Sequence, residues 1–141
     1  MSTGNSVRDA LERGDEVFGG RVRTFSTTVV QIFGQIGLDY AYIDLEHAGF
    51  SPYDSTELQS MVNAAADAGT TLMVRVPSPE PSIVRKVLDA GVRNIIVPRV
   101  ERAAEVRRVV EAAHYEYNGA PGKRGFGTAP CNDWGVRPPG Y

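Results

Sequence analysis

Gly37 to Phe50 reads GLDYAYIDLEHAGF: a glycine, an apolar run closing on Asp44, and then Glu46 and His47 side by side. The plan recurs twice. GTTLMVRVP from Gly69 and GVRNIIVPRV from Gly91 also begin with glycine, run through apolar residues and end in a polar residue or proline. The cores YAYID, TLMVR and NIIVP are near-continuous rather than alternating. That pattern predicts strands buried on both faces, as in a parallel sheet under helices. A weaker first strand is expected within GGRVRTF, Gly19 to Phe25.

Helical patterns separate these runs. Val29, Ile32, Phe33 and Ile36 are spaced i, i+3, i+4, i+7, as are Leu58, Met61, Val62 and Ala65. Ile83, Val84, Val87 and Leu88 predict a third apolar stripe, and Ala103, Val106, Val110 and Ala113 a fourth. Gly37, Gly69 and Gly91 fall where a helix end needs a left-handed residue. Asp54 with Glu57 predicts a capping box. A short helix is expected around Val7 to Leu11. The stretch from about residue 118 to 141 is dense in Gly and Pro and reads as loop, with no fifth strand. Strand ends roughly 20–30 residues apart match the scale of a βα unit, and about four such units are expected in one domain over residues 1–141.

Repeated βα units fit an open doubly wound sheet or a (β/α)8 barrel. In both, chemistry gathers at the C-terminal ends of the strands. Asp44, Glu46 and His47 follow the second strand, Arg75 closes the third, and Pro98 and Arg99 close the fourth. Each also has a plain reading. Asp44 would cap the following turn, Glu46 and His47 would be solvated loop residues, and Arg75 would pair with a neighbouring acid. Asp89 reads as a surface residue at a helix end. His114 reads as a cation at a helix C-terminus. GAPGKRGFG fails as a phosphate loop, because Arg124 follows Lys123 where Ser or Thr is required and Tyr117 stands at the first glycine position. No His, Cys and Asp set has zinc spacing.

Composition bounds the partners. The 141 residues are 42% hydrophobic and 23% charged with a formal net charge of −2, which gives no pull toward nucleic acid or an anionic membrane. No apolar run approaches the ~18 residues that span a bilayer, and MSTGNSVRDALERGDE lacks a signal-peptide pattern. Cys131 is the single cysteine, so no disulfide framework is expected. A cytoplasmic protein is the expectation.

GLDYAYIDLEHAGF, VRVPSPEPSIVRKVLDAGVRNIIVPRVERAAEV and GKRGFG, in that order, resemble the HpcH/HpaI aldolase family. The resemblance implies a metal-dependent class II aldolase with a pyruvate-binding (β/α)8 barrel. It implies a carbon–carbon lyase that reversibly cleaves a 4-hydroxy-2-oxo acid to pyruvate and an aldehyde. His47 then matches the catalytic base. Arg75 matches the arginine that holds the keto oxygen and the developing enolate. Asp89 matches an acid that pairs with the histidine, so His47, Arg75 and Asp89 are expected to converge at one mouth. Gly125 and Gly127 match a substrate-binding loop. Asp44 and Glu46 match acids near the water shell of a divalent cation (Mg, Mn or Co) without being its direct ligands. A homo-oligomer is also implied.

The family's direct metal ligands, a Glu and an Asp, lie on strands after the RG-x-G loop, and Tyr141 precedes both. GTAPCNDWG replaces the usual Arg-containing stretch, with Pro130 about where the arginine belongs. A (β/α)8 barrel takes about 250 residues, so a partial barrel of about the first four units is expected, with no direct metal ligand and no tight cation binding in this chain alone. A fragment of a longer aldolase is the favoured expectation. Pairing with a second half-chain or a decayed gene product are the other two. Function accordingly divides between a lyase active in a complete barrel and an inactive half-barrel acting at most as a self-associating binding or assembly module.

Overall fold

The computed structural model describes residues 5–117 and 119–136. Helix α1, Ser6–Arg13, opens the chain, with the Asn5 side chain accepting the Arg8 N–H. Strand β1 (Gly19–Val22), helix α2 (Thr27–Gln35), strand β2 (Tyr40–Asp44) and helix α3 (Ser55–Asp67) follow. Strand β3 (Thr71–Arg75), helix α4 (Pro81–Asp89), strand β4 (Asn94–Ile96) and helix α5 (Ala103–Ala113) complete four βα units. The four strands form one parallel sheet in the order β1-β2-β3-β4. Gly37, Gly69 and Gly91 take φ of 84°, 76° and 99° and stop α2, α3 and α4 as expected. Asp54 Oδ1 accepts the Glu57 N–H at 3.0 Å at the start of α3.

The strands are not buried on both faces. Ala41 and Ile43 of β2, and Leu72 and Val74 of β3, are buried against the helices, whereas Tyr40, Tyr42, Thr71 and Met73 on the opposite face are only half-buried. The inward face is covered at one end by α1. There Asn5 Nδ2 donates to Asn94 Oδ1 at 2.8 Å, and Asn94 Nδ2 donates to Thr71 Oγ1 at 3.3 Å. A groove of about 540 Å³, lined by Val7, Leu11, Met73 and Ile96, is left between α1 and the sheet.

Helices α3 and α4 pack by the expected stripes, through Leu58, Met61 and Ala65 and through Val84, Val87 and Leu88. The other two are rotated. On α2, Val30 is fully buried while Ile32 and Ile36 are exposed. On α5, Val109 and Ala112 are buried and Val106 is exposed. Apolar spacing alone fits adjacent stripes about equally, and contact with the neighbouring helix selects one. The tail is also more structured than a loop. It holds a two-residue antiparallel hairpin, β5 (Glu116–Tyr117) with β6 (Ala120–Pro121), and a 3-10 helix at Pro130–Gly135. Residues 118 and 137–141 of that stretch lie outside the described residues.

Gly34 shows how closely α2 and α3 approach: a Cβ there would run into the carbonyl oxygen and Cβ of Ala68. Exchanging a helical Gly for Ala ordinarily gains about 0.5–1 kcal/mol. Gly34→Ala should reverse that sign and cost roughly 1–3 kcal/mol, because the two helices must part. The urea unfolding midpoint reads the sign directly, and a stabilised variant would contradict this packing.

Candidate active site

Parallel pairing brings the ends of the strands to one rim. Asp44 lies in register with Arg75, and Arg75 with Ile96. Two further ladder bonds, Leu45 N–H to Arg75 O and Val76 N–H to Ile96 O, fix the backbone just beyond β2 and β3. Phe25 and Phe50 stack edge to face at 4.3 Å between ring centroids, joining the loops after β1 and β2.

Asp44 is the centre of this rim, with 1% of its surface exposed. Its Oδ1 accepts Arg75 Nε at 2.9 Å and the backbone N–H groups of Glu46 at 3.0 Å and His47 at 3.2 Å. Its Oδ2 accepts Arg75 Nη2 and, at 2.8 Å, Arg21 Nη2 from β1. The turn-capping and arginine-pairing readings of Asp44 and Arg75 are therefore both correct, and they coexist. Arg75, seconded by the two N–H groups, holds the Asp44 carboxyl far below the usual carboxylate range despite its burial. Asp44 in turn pushes the Arg75 guanidinium above its ordinary value.

Glu46 is nearly buried and lies between two guanidiniums. Its Oε2 is 3.3 Å from Arg75 Nε, and its Oε1 is 3.3 Å from Arg99 Nε. The His47 ring is exposed, with Nε2 3.6 Å from Glu46 Oε2. His47, Arg75, Asp44 and Glu46 thus come together as the spacing and the fold require.

Asp89 does not join them. It is the last residue of α4, which runs antiparallel to the strands, so it lies at the rim where the strands begin. There Arg124 Nη2 donates to Asp89 Oδ1 at 2.9 Å, and Cys131 Sγ lies 3.8 Å from the same oxygen. The expected pairing of Asp89 with His47 is replaced by this ion pair, and the acid facing His47 is Glu46. The loop of Gly125 and Gly127 is likewise on the far rim. Lys123 N–H bonds Glu111 O, Arg124 N–H bonds His114 O, and Asn132 Nδ2 donates to Gly127 O at 2.6 Å. These bonds tie the loop to the end of α5 and to the 3-10 helix, away from Arg75.

A divalent cation does not fit this rim as a directly bound ion. Both oxygens of Asp44 and both of Glu46 already face guanidiniums, and three arginines would repel a dication. Among the described residues no group of three or more His, Cys, Asp or Glu is placed to hold a metal. Nor is any helix among them long and apolar enough to cross a membrane.

Arg21 was not evident in the sequence as part of this rim, and Arg99 was evident only as a strand end. Arg21 sits in a four-residue strand whose apolar signal is a single valine. Its signal is alternation: Val22 faces the helices, so Arg21 must face inward.

A family profile described as HpcH/HpaI aldolase/citrate lyase matches residues 22–126. The chain is 36% identical over 140 residues to a hydroxypyruvate/pyruvate aldolase of Paraburkholderia phytofirmans, covering 97% of this chain and 50% of that protein. It is 36% identical over 106 residues to a 5-keto-4-deoxy-D-glucarate aldolase of Klebsiella pneumoniae, covering 71% and 40%. A crystal structure of an HpcH/HpaI aldolase/citrate lyase family protein from Burkholderia cenocepacia superposes with a TM-score of 0.81 at 32% identity, covering 94% of this chain and 52% of that one. The chain spans about half the length of the curated relatives it matches, and its four βα units match about half of a (β/α)8 barrel.

Asp44→Asn should destabilise the protein by about 1–3 kcal/mol, the cost of leaving hydrogen-bonding groups poorly satisfied at a buried site. Because the folded pKa of Asp44 lies below its unfolded value of about 3.9, its contribution is present in full above that value. It is lost as pH falls toward the folded value. The difference in urea midpoint between wild type and Asp44→Asn should therefore stay constant from about pH 8 to 5 and narrow below about pH 4. A gap that persists in acid would mean that the ion pair is not its source.

Proposed function

The chain belongs to the HpcH/HpaI aldolase/citrate lyase family, and on that premise we propose that it carries the anion-holding and proton-handling rim of an aldolase site. The reaction, in a complete barrel, is reversible retro-aldol cleavage of a 4-hydroxy-2-oxo acid to pyruvate and an aldehyde. The observation that carries this reading is Arg75, held at a strand end by the buried Asp44 and by Glu46.

Cleavage breaks the C3–C4 bond, leaves the electron pair on the pyruvate enolate, and removes the C4 hydroxyl proton as that oxygen becomes the aldehyde carbonyl. Arg75 supplies a fixed positive charge where the enolate oxygen gains charge. Its planar fork, on the edge that Asp44 leaves open, also suits the carboxylate and keto oxygen of a 2-oxo acid. Asp44 and Glu46 keep that fork in one orientation, so it does not reorganise during reaction. His47 takes the hydroxyl proton, directly or through a water, and its exposure allows the proton to pass to solvent. The enolate is then protonated at C3.

A second reading, a non-catalytic half-barrel that self-associates, is favoured by the half-buried inward face of the sheet and its groove beside α1. Kinetics on the natively expressed protein separates the two, with pyruvate release as the signal. Cleavage of 4-hydroxy-2-oxo acids is expected from a complete barrel and not from residues 1–141 alone. His47→Ala should lower kcat by about 10²–10⁴-fold, the range of a general base. Arg75→Ala should damage both kcat and KM, since it touches ground state and enolate alike. Arg75→Lys should recover only part of the loss. Wild-type rates for His47→Ala would remove the base assignment, and an inactive protein would favour the second reading.

A further inference from the structure

We infer that two copies of this chain close one eight-stranded barrel, each setting its β4 edge against the β1 edge of the other and its α5 against the other's α2. The inference rests on the second reading above, the self-associating half-barrel, and names the surfaces that meet. It starts from the helix layer. There α2 packs on α3, α3 on α4 and α4 on α5. The end helices α2 and α5 therefore have one neighbour in the layer, where α3 and α4 have two. Exposed apolar side chains follow that division. Ile32 and Ile36 of α2 are 51% and 66% exposed, and Val106 of α5 is 47% exposed. Among the described residues, α3 and α4 expose no large apolar side chain. Ile32 and Ile36 stand one turn apart on a helix with no charged residue. Val106 lies on an uncharged stripe with Ala103, Val110 and Ala113.

The sheet ends in the same way. Among the described residues β1 pairs with β2 and β4 with β3, so each keeps one open edge. An open edge is a template for a further strand. A two-fold axis along the strands keeps every strand parallel, sets β4 of each copy beside β1 of the other, and leaves no edge open. Four strands from each copy make eight, a number whose interior side chains fill the barrel. The half-buried Tyr40, Tyr42 and Met73 and the exposed Ile96 then face the second sheet across that interior. The strands already hold a suitable arrangement, since they superpose on about half of a related full-length chain. Pairing β4 with β4 about an axis across the strands would leave β1, Ile32 and Ile36 uncovered. The closed arrangement is head-to-tail and stops at two copies.

Sedimentation equilibrium of the full chain is the test, and wild type should have twice the mass of one chain. Ile32→Lys and Val106→Glu, each alone, should weaken pairing by about tenfold or more, because each puts an unpaired charge into both seams. Both positions are exposed in the single chain, so its far-UV circular dichroism should not change. If Ile32→Lys does change it, Ile36→Lys takes its place. Mixing the Lys variant with Val106→Glu should restore the two-chain particle. One seam is then native, and the other sets a lysine opposite a glutamate. A two-chain wild type that is indifferent to Val106→Glu, or variants that do not recover on mixing, overturns the closed barrel and leaves self-association standing. A series of sizes beyond two does the same. A single-chain wild type overturns both.

Discussion

One buried carboxylate organises the rim at the strand ends. Asp44 accepts two guanidiniums, from β1 and β3, and the first two free N–H groups of the loop after β2. An isolated charge at 1% exposure would be expelled or neutralised. Five hydrogen bonds on two oxygens make the ionised form the stable one instead. The side chain therefore joins three strands' worth of backbone at the level where the sheet meets solvent. It also sets the direction in which the 45–47 loop leaves, which is why Glu46 and His47 stand beside Arg75.

Much of the fold was legible because parallel βα units write themselves in simple signals. Glycine stops at Gly37, Gly69 and Gly91 and apolar cores ending in Asp44 and Arg75 locate strands and helix ends from local chemistry alone. Spacing does not fix the buried stripes of α2 and α5, because a helix with apolar residues on two neighbouring lines offers two faces. The choice between them belongs to the partner helix. The site was legible where residues are local to a strand end, as with Asp44, Glu46, His47 and Arg75. It was illegible where it depends on which rim a helix end reaches. Asp89 sits one helix away from Arg75 in the chain, yet α4 carries it the length of the sheet in the other direction, to Arg124.

The inward face of the sheet shows a second limit of pattern reading. YAYID and TLMVR look like strands covered on both sides, and the tyrosines and Met73 have the size and character of core residues. Their half-burial reflects cover: a face is filled only by what stands opposite it, and among the described residues α1 covers one end. Composition records what a surface would accept as a neighbour. It does not record where that neighbour comes from.

The order β1-β2-β3-β4 also bears on how this chain acquires its shape. Spatial neighbours are chain neighbours: Gly19 pairs with Tyr40, Tyr40 with Thr71, and Met73 with Asn94. Every ladder closes over a short intervening helix, so the entropy lost in forming it is modest and is spent locally. Each strand can dock as soon as the helix after its predecessor exists, in the order in which a ribosome releases them. The Asp44–Arg75 pair falls between the second and third steps of that sequence. Both partners of the Asp44–Arg75 pair have therefore been synthesised before Arg99, which later takes its place beside Glu46.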